Sequence, residues 1–344
     1  MTQSIRDAFH LQARYCAAAG SPLTAEVVGA LADILDHSTR TGAHILDWAG
    51  DPIVDALPLR IAGGLNALVR LGRDDLLSRL YRSRDVEVHP VLKQVLSKWD
   101  DWLNPWLDSP PQTNEVARSA ALWPGMLEIA RRFGPKMEWI EIGTSAGLNL
   151  NMDKFGYRLG ETTSGDSLSA VQIAPHWTGP SPSAAAVDVI DRLGIDLNPL
   201  DVSDSAIAER LLAYIWPDQV ERVSRAEAAI RVAQANPPPI VKGDATALLE
   251  PLLAEPQSEG RTRVIFHSIA FQYFPPDARA RVTELIEAAG ARADTARPLV
   301  WLSMEFREKG AAQAQLGLRC WPGAGHEKIL AHVHPHGAEV NWVA

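Results

Sequence analysis

Glu141-Ile142-Gly143-Thr144-Ser145-Ala146-Gly147 brings a carboxylate, two hydroxyls and two glycines together at the end of an apolar run that begins at Trp139. Two chemistries use such a set. Read as G-x-S-x-G, the segment is a nucleophile elbow, in which Ser145 sits on a strained turn and attacks an ester or amide carbonyl. Read as a small-residue loop between a strand and a helix, it is a cradle. Its glycines let a ligand approach the backbone, and the N–H groups of the helix start are free to bind it. The hydrolase needs an acid and a His downstream, an oxyanion-hole segment upstream and several strands before the elbow. His334 and His336 are available, but the residues upstream read as helices and contain no His-Gly-Gly stretch. A dinucleotide cradle would show G-x-G-x-x-G, which this segment lacks. Glu141 separates the remaining ligands: a carboxylate at the strand end repels a pyrophosphate and favours an amino group or a sulfonium.

The elements that must position these groups change character along the chain. Residues 1 to 135 read as an all-helical region. Thr24 caps a helix with Val27, Leu31, Ile34 and Leu35 on one face, and Gly20 closes the helix before it. Further helical runs span Leu57 to Leu71, Val91 to Leu103 and Asn114 to Phe133, the last kinked or divided by Pro124. Asn104 to Pro111 is a Pro-rich connection. From Trp139 onward strands alternate with helices, which predicts a doubly wound, mostly parallel α/β sheet over residues 136–344. Its strands include Ile240-Val241, Arg263 to His267 and Leu299 to Leu302. Pro275-Pro276-Asp277 opens a helix with Val282, Leu285, Ile286 and Ala289 on one face. Leu316 to Trp321, Ile329 to Ala331 and Val340 to Trp342 predict an antiparallel C-terminal edge. Between about 161 and 190 the Pro, Gly and Ser content predicts an irregular insertion or a lid.

Glu-x-Gly-x-Ser-x-Gly resembles the first motif of the class I S-adenosylmethionine (SAM)-dependent methyltransferases, with Ser145 in place of the central glycine. Several segments together extend the resemblance over nearly the whole chain. They are Thr113-Asn114-Glu115-Val116, the Glu141 to Leu150 stretch, Leu197 to Asp201, Trp216-Pro217-Asp218-Gln219, Gly243-Asp244, His267-Ser268 with Gln272-Tyr273, and His334-Pro335-His336-Gly337. In combination they resemble the bacterial domain-of-unknown-function family 2332, which implies a methyltransferase-type Rossmann domain preceded by helices.

The resemblance implies SAM as cofactor, held by Glu141, Gly143, Thr144, Ser145, Gly147 and Asn149. Asp196, with Asn198 beside it, would accept the ribose hydroxyls, and Asp201 competes for that role; a surface turn explains the same residues. Asp244 and Ala245 would meet the adenine, although a helix N-cap explains Asp244 as well. His267 and Ser268 follow a buried strand, where His267 either removes a proton from a substrate hydroxyl or amine or is a satisfied core histidine. Asn114, Glu115 and Arg118 would face the same pocket from the helical region, with Gln272 and Tyr273 on the substrate side. Asn114 as a helix cap is the competing explanation. The expected reaction is methyl transfer to a small-molecule oxygen or nitrogen; a SAM- or nucleotide-binding module without turnover, and the Ser145 hydrolase, are the alternatives. No metal is expected, since Pro335 interrupts His332-x-His334-x-His336 and no acid or Cys cluster completes a ligand set. Glu305 is expected to pair with Arg307 in a solvated bridge.

Composition narrows the partners. Among the 344 residues, 46% are apolar and the formal net charge is −9, which supports a sizeable core and offers no basic field for nucleic acid or anionic lipid. The Asp/Asn-Pro-Pro-Tyr pattern of nucleic-acid amino methylation is also missing. Only Cys16 and Cys320 occur, so no disulfide framework is expected. Without a signal-like N-terminus or a membrane-length apolar run, a cytoplasmic protein acting on a small molecule, without nucleic-acid or membrane partners, is the expectation.

Overall fold

The structure, a computed structural model, describes residues 4–308 and 310–344. The chain divides into two compact units, Met1–Thr113 with Ser203–Glu227, and Asn114–Val202 with Ala228–Ala344.

The first unit is helical: Ile5–Ala18, Pro22–Ile34, Arg40–Leu46, Leu57–Arg70, Asp75–Arg82, Val88–Lys98, Asp100–Leu103 and Ser205–Ala213. Its core gathers Val27, Leu31, Leu57, Ile61, Leu65, Leu68, Leu92 and Val95, the apolar stripes of those helices. Thr24 lies inside its helix and is not the cap. Asp218 takes the cap's role from far along the chain, accepting the N–H groups of Leu23 and Thr24 at 3.0 and 3.1 Å and the Thr24 hydroxyl at 2.9 Å. The run expected from Val91 to Leu103 breaks at Trp99 into two helices.

The second unit begins at Asn114, because the helix Ser119–Phe133 packs on the sheet: a Cβ on Gly125 would lie 2.9 Å from the Leu302 side chain. That helix runs unbroken through Pro124; proline's fixed φ is helical, and the residues around it are buried. The strands are β1 (Lys136–Ile142), β2 (Gly156–Leu159), β3 (Thr162–Gly165), β4 (Gln172–Ile173), β5 (His176–Thr178), β6 (Asp188–Asp196), β7 (Ile240–Lys242), β8 (Thr262–Ser268), β9 (Leu299–Glu305), β10 (Ala314–Trp321), β11 (Lys328–Val333) and β12 (Glu339–Trp342).

Among the described residues they form a nine-stranded sheet in the order β5-β12-β11-β10-β9-β8-β1-β6-β7 and a three-stranded sheet β3-β2-β4. From β7 to β9 all pairings are parallel, and β9 to β12 are antiparallel. In chain order the parallel strands read 3-2-1-4-5, the order of a doubly wound domain, with its switch point between β1 and β8. β8 and β9 are buried along their whole length, which is why they read as continuous apolar runs. The helix Pro276–Gly290 covers them with the expected face, Val282, Leu285, Ile286 and Ala289 packing with Ile265 and Trp301. The region expected to be irregular or a lid supplies β3 to β5, and β5 pairs with β12 at the sheet edge. Trp177 stacks on Trp342 there, ring centroids 5.7 Å apart.

Candidate functional site

The residues singled out at the switch point fall into two groups, one on each face of the sheet. Glu141 pairs with Phe266 across β1 and β8, so His267, one residue on, points to the other face.

On the Glu141 face, Thr144 donates its hydroxyl to the Glu141 carboxyl. Glu141 is 2% exposed. Burial pushes its carboxyl up to about 8, and the Asp196 charge adds to that, while the Thr144 hydrogen bond and the Arg118 charge oppose it. Asn114 accepts the Leu148 N–H at 2.8 Å, and Asn149 donates to the Glu115 carbonyl at 3.2 Å. The Glu115 side chain caps its own turn through the Ala117 N–H. Arg118 donates to the carbonyls of Ser268 and Pro335 at 2.9 and 3.1 Å. Asn114 and Glu115 therefore meet the turn after Gly147, which Asn114 caps in place of its own helix, while Arg118 holds the carbonyls of Ser268 and Pro335.

The loop itself differs from the expected cradle. Gly143 and Thr144 both donate to the Ile195 carbonyl, at 2.8 and 3.3 Å, and Ser145 donates to the Asp196 carboxylate at 2.7 Å. Gly147 donates to the Thr144 carbonyl at 2.8 Å. With the Leu148 N–H on Asn114, these donors are spent within the protein. The chain then makes a 3-10 segment, Leu148–Lys154, in place of an α-helix. The glycines are small for reasons of packing: a Cβ on Gly143 would lie 2.6 Å from that of Ala270, and one on Gly147 2.8 Å from the Pro238 ring. Both have a left-handed φ, +70° and +67°.

Ser145 shares with a nucleophile elbow a left-handed φ of +55°. Its hydroxyl is buried and has no hydrogen-bond partner among the described residues. Among the described residues no imidazole hydrogen-bonds it, so the base that would activate a nucleophilic serine is not in place. The Asn149 carbonyl oxygen is likewise buried and unpartnered. Asp196, at the end of β6, holds the Ser145 and Asn198 N–H groups, whereas Asp201 lies exposed further on. Asp244 is exposed and caps the helix Ala245–Ala254 through the Thr246 N–H at 2.8 Å; Ala245 is buried in the core beneath it.

On the opposite face His267 is 1% exposed. Its Nδ1 lies 2.7 Å from Glu305, and its Nε2 accepts the Trp301 indole N–H at 3.0 Å. Because Trp301 can only donate, Nε2 is the acceptor and Nδ1 carries the proton toward the carboxylate. Neither nitrogen is free to receive a substrate proton, so the general-base role expected of His267 is corrected to that of a locked core histidine. Glu305 is buried too and does not bridge to Arg307, which pairs with Glu327. Burial would raise the Glu305 carboxyl, but His267 and the N–H groups of Ala270 and Phe271 hold it below its ordinary value. Gln272 is exposed and Tyr273 is 77% exposed; neither turns into the polar cluster. His334 accepts the His336 N–H, and no group of three or more His, Cys, Asp or Glu among the described residues could hold a metal ion.

A cleft of about 430 Å³ opens beside His267 on this face, lined by Trp301, Ser303, Arg307, Arg319 and Glu327 among others. Sequence reasoning did not bring these residues together as a site: they come from β9, the turn after it, β10 and the turn after β10, and no local spacing marks them.

No helix among the described residues is long and apolar enough to cross a membrane. No curated protein matches the chain. Among solved structures the DhpI-SAM-HEP complex is similar at 12% identity over 71% of this chain and 78% of that one, with a TM-score of 0.24, too low to bear on fold or ligand. The sequence matches, from residue 6 to residue 342, the family described as "Uncharacterized protein conserved in bacteria". With nearly its whole length inside that match, the chain belongs to the DUF2332 family.

Proposed function

We propose that the α/β unit binds SAM over the switch point, beside the Glu141 to Gly147 loop, and transfers its methyl group to a small-molecule oxygen or nitrogen. The observation that carries this reading is the balance of hydrogen-bonding groups. The N–H groups of Gly143, Thr144, Ser145 and Gly147 are spent within the protein, while the surroundings of the loop keep acceptors: the buried Glu141 carboxyl, the Asp196 carboxylate, the Ser145 hydroxyl and the Asn149 carbonyl. Phosphate-bearing cofactors need donors there. A ligand carrying an ammonium, a sulfonium and ribose hydroxyls needs acceptors, and this set of acceptors fits SAM in that respect.

Glu141 would take the cationic end, since a positive charge beside a buried carboxyl favours its ionised form. Asp196, half-buried at the end of β6, keeps lone pairs for the ribose. Bound SAM supplies an activated methyl group. The chain's own contribution is to orient and to exclude water, which is where much of the rate gain of a two-reactant transfer arises. His267 takes no part in proton removal.

Calorimetric titration with SAM and with its demethylated product tests the reading. Both are expected to bind, Asp196→Ala and Glu141→Gln to weaken them, and NAD to give no heat. Absence of heat and of a thermal shift with both SAM and its product overturns it.

A further inference from the structure

The cleft on the β8–β10 face is built differently from the Glu141 loop, and its groups ask for a different ligand. Trp301 lines the cleft, and the Arg307 and Glu327 side chains at its wall lie against β10 at Gly317. A Cβ on Gly317 would come within 2.3 Å of Glu327 and 2.5 Å of Arg307, so the missing side chain is what lets this ion pair lie down on the sheet. Arg307 donates from Nη2 to the Ser303 hydroxyl at 2.9 Å and to Glu327 at 2.5 Å. Among the described residues its Nε and Nη1 meet no acceptor.

Arg319 is held as firmly. It donates to the Gly325 carbonyl at 2.6 Å and to Glu287 at 2.7 Å, and its guanidinium lies over two indoles, 5.3 Å from the Trp301 ring and 5.0 Å from that of Trp321. Its Nη1 has no acceptor among the described residues either. Phe271 stands edge-on to Trp301, ring centroids 6.0 Å apart at 87°. Two guanidinium groups with fixed stems and unspent donors, beside a right-angled aromatic corner, are a preorganised receptor.

We propose that this cleft binds a small planar molecule bearing an anionic group, its carboxylate or phosphate on the Arg307 and Arg319 donors and its ring against Phe271 and Trp301. The site is independent of SAM: it stands on the opposite face from Glu141, and the proposal does not rest on the methyltransferase reading. The contacts with Ser303 and Glu327 spend both hydrogens of Nη2 and fix the guanidinium plane, leaving Nε–H and Nη1 as separate donors for an oxyanion. Carboxylate and phosphate ligands share this chemistry, and two probes distinguish them.

The full chain is titrated with benzoate, phenyl phosphate, inorganic phosphate and the neutral analogue benzamide, followed by calorimetry. One or both aromatic anions are expected to bind, with inorganic phosphate and benzamide about tenfold weaker or worse, as loss of either half of the contact implies. Arg307→Met and Arg319→Met are expected to weaken binding about tenfold each. Ser303→Ala, which removes only the hydroxyl that steadies Arg307, guards against variants that fail to fold and is expected to weaken binding less. A crystal soaked with the tighter probe should show its anion on Arg307. Equal binding of benzamide and benzoate, no binding of either anion at millimolar concentration, undiminished binding in the folded variants, or a probe found elsewhere overturns the proposal.

Discussion

Burial works against the charged form of both Glu141 and Glu305, and the donors around each decide whether it keeps its charge. One oxygen of Glu305 collects three N–H groups, from His267, Ala270 and Phe271. Glu141 has the Thr144 hydroxyl and the distant Arg118 charge against the repulsion of Asp196. The first therefore stays ionised and the second protonated near neutral pH, which gives them opposite effects on stability. The Glu141 carboxyl titrates at about 8 in the folded chain against an ordinary value of 4.5. Between those values the unfolded chain has lost a proton that the folded chain keeps, so stability falls as pH rises. Glu141→Gln mimics the protonated form and should flatten this dependence. Urea midpoints taken from pH 4.5 to about 8 are expected to show the variant gaining on the parent as pH rises, and parallel profiles would refute the assignment. Glu305→Ala leaves its three donors buried without an acceptor. Its expected cost is about 3–5 kcal/mol, read from the same midpoints, with Glu305→Gln costing less because one acceptor survives.

The loop after β1 is held by its neighbours at the level of whole elements. It sits between β6, whose Ile195 and Asp196 take its N–H groups, and the turn after β8, where Ala270 presses on Gly143. Gly143→Ala therefore meets two penalties, a left-handed φ of +70° and a methyl group 2.6 Å away. Gly260 has a φ of +74° with open space around its missing Cβ. Gly260→Ala should cost about 1 kcal/mol, the conformational part alone. Gly143→Ala should cost a further ~1–3 kcal/mol for overlap. Thermal unfolding of the two variants checks the ranking, and equal costs would mean that Ala270 yields without resistance.

At the scale of the molecule, the helical unit is made from two stretches of chain far apart in sequence. Residues 203–227 complete it: Asp218 caps the helix Pro22–Ile34, Asn66 donates to the carbonyls of Ala213 and Ile215 at 3.0 Å, and Arg70 pairs with Glu209 and Glu227. A fragment of residues 1–113 alone lacks all of these partners. It is expected to melt with low cooperativity by circular dichroism, and to regain a sharp transition when a peptide of residues 203–227 is added. A cooperative transition in the fragment alone, unchanged by the peptide, would show that the second stretch is dispensable.

Local patterns determined the elements. The continuous apolar runs of β8 and β9, the helical stripe from Val282 to Ala289, the Gly143 and Gly147 turn and the Asp244 cap were legible because each is written within a few residues, at the repeat of a strand or a helix. The α/β class and the antiparallel C-terminal edge followed from the order of those elements. What tertiary structure alone decided was which groups share a face and who fills each space. Glu141 and His267 read alike as polar residues at strand ends, yet one residue of register puts them on opposite faces of the sheet. β5 looked irregular because its order comes from pairing with β12, and Thr24 looked like a cap because Asp218 is almost two hundred residues away. The glycines of the loop look the same in sequence whether a ligand or Ala270 and Pro238 stands over them; only packing between distant segments distinguishes the two.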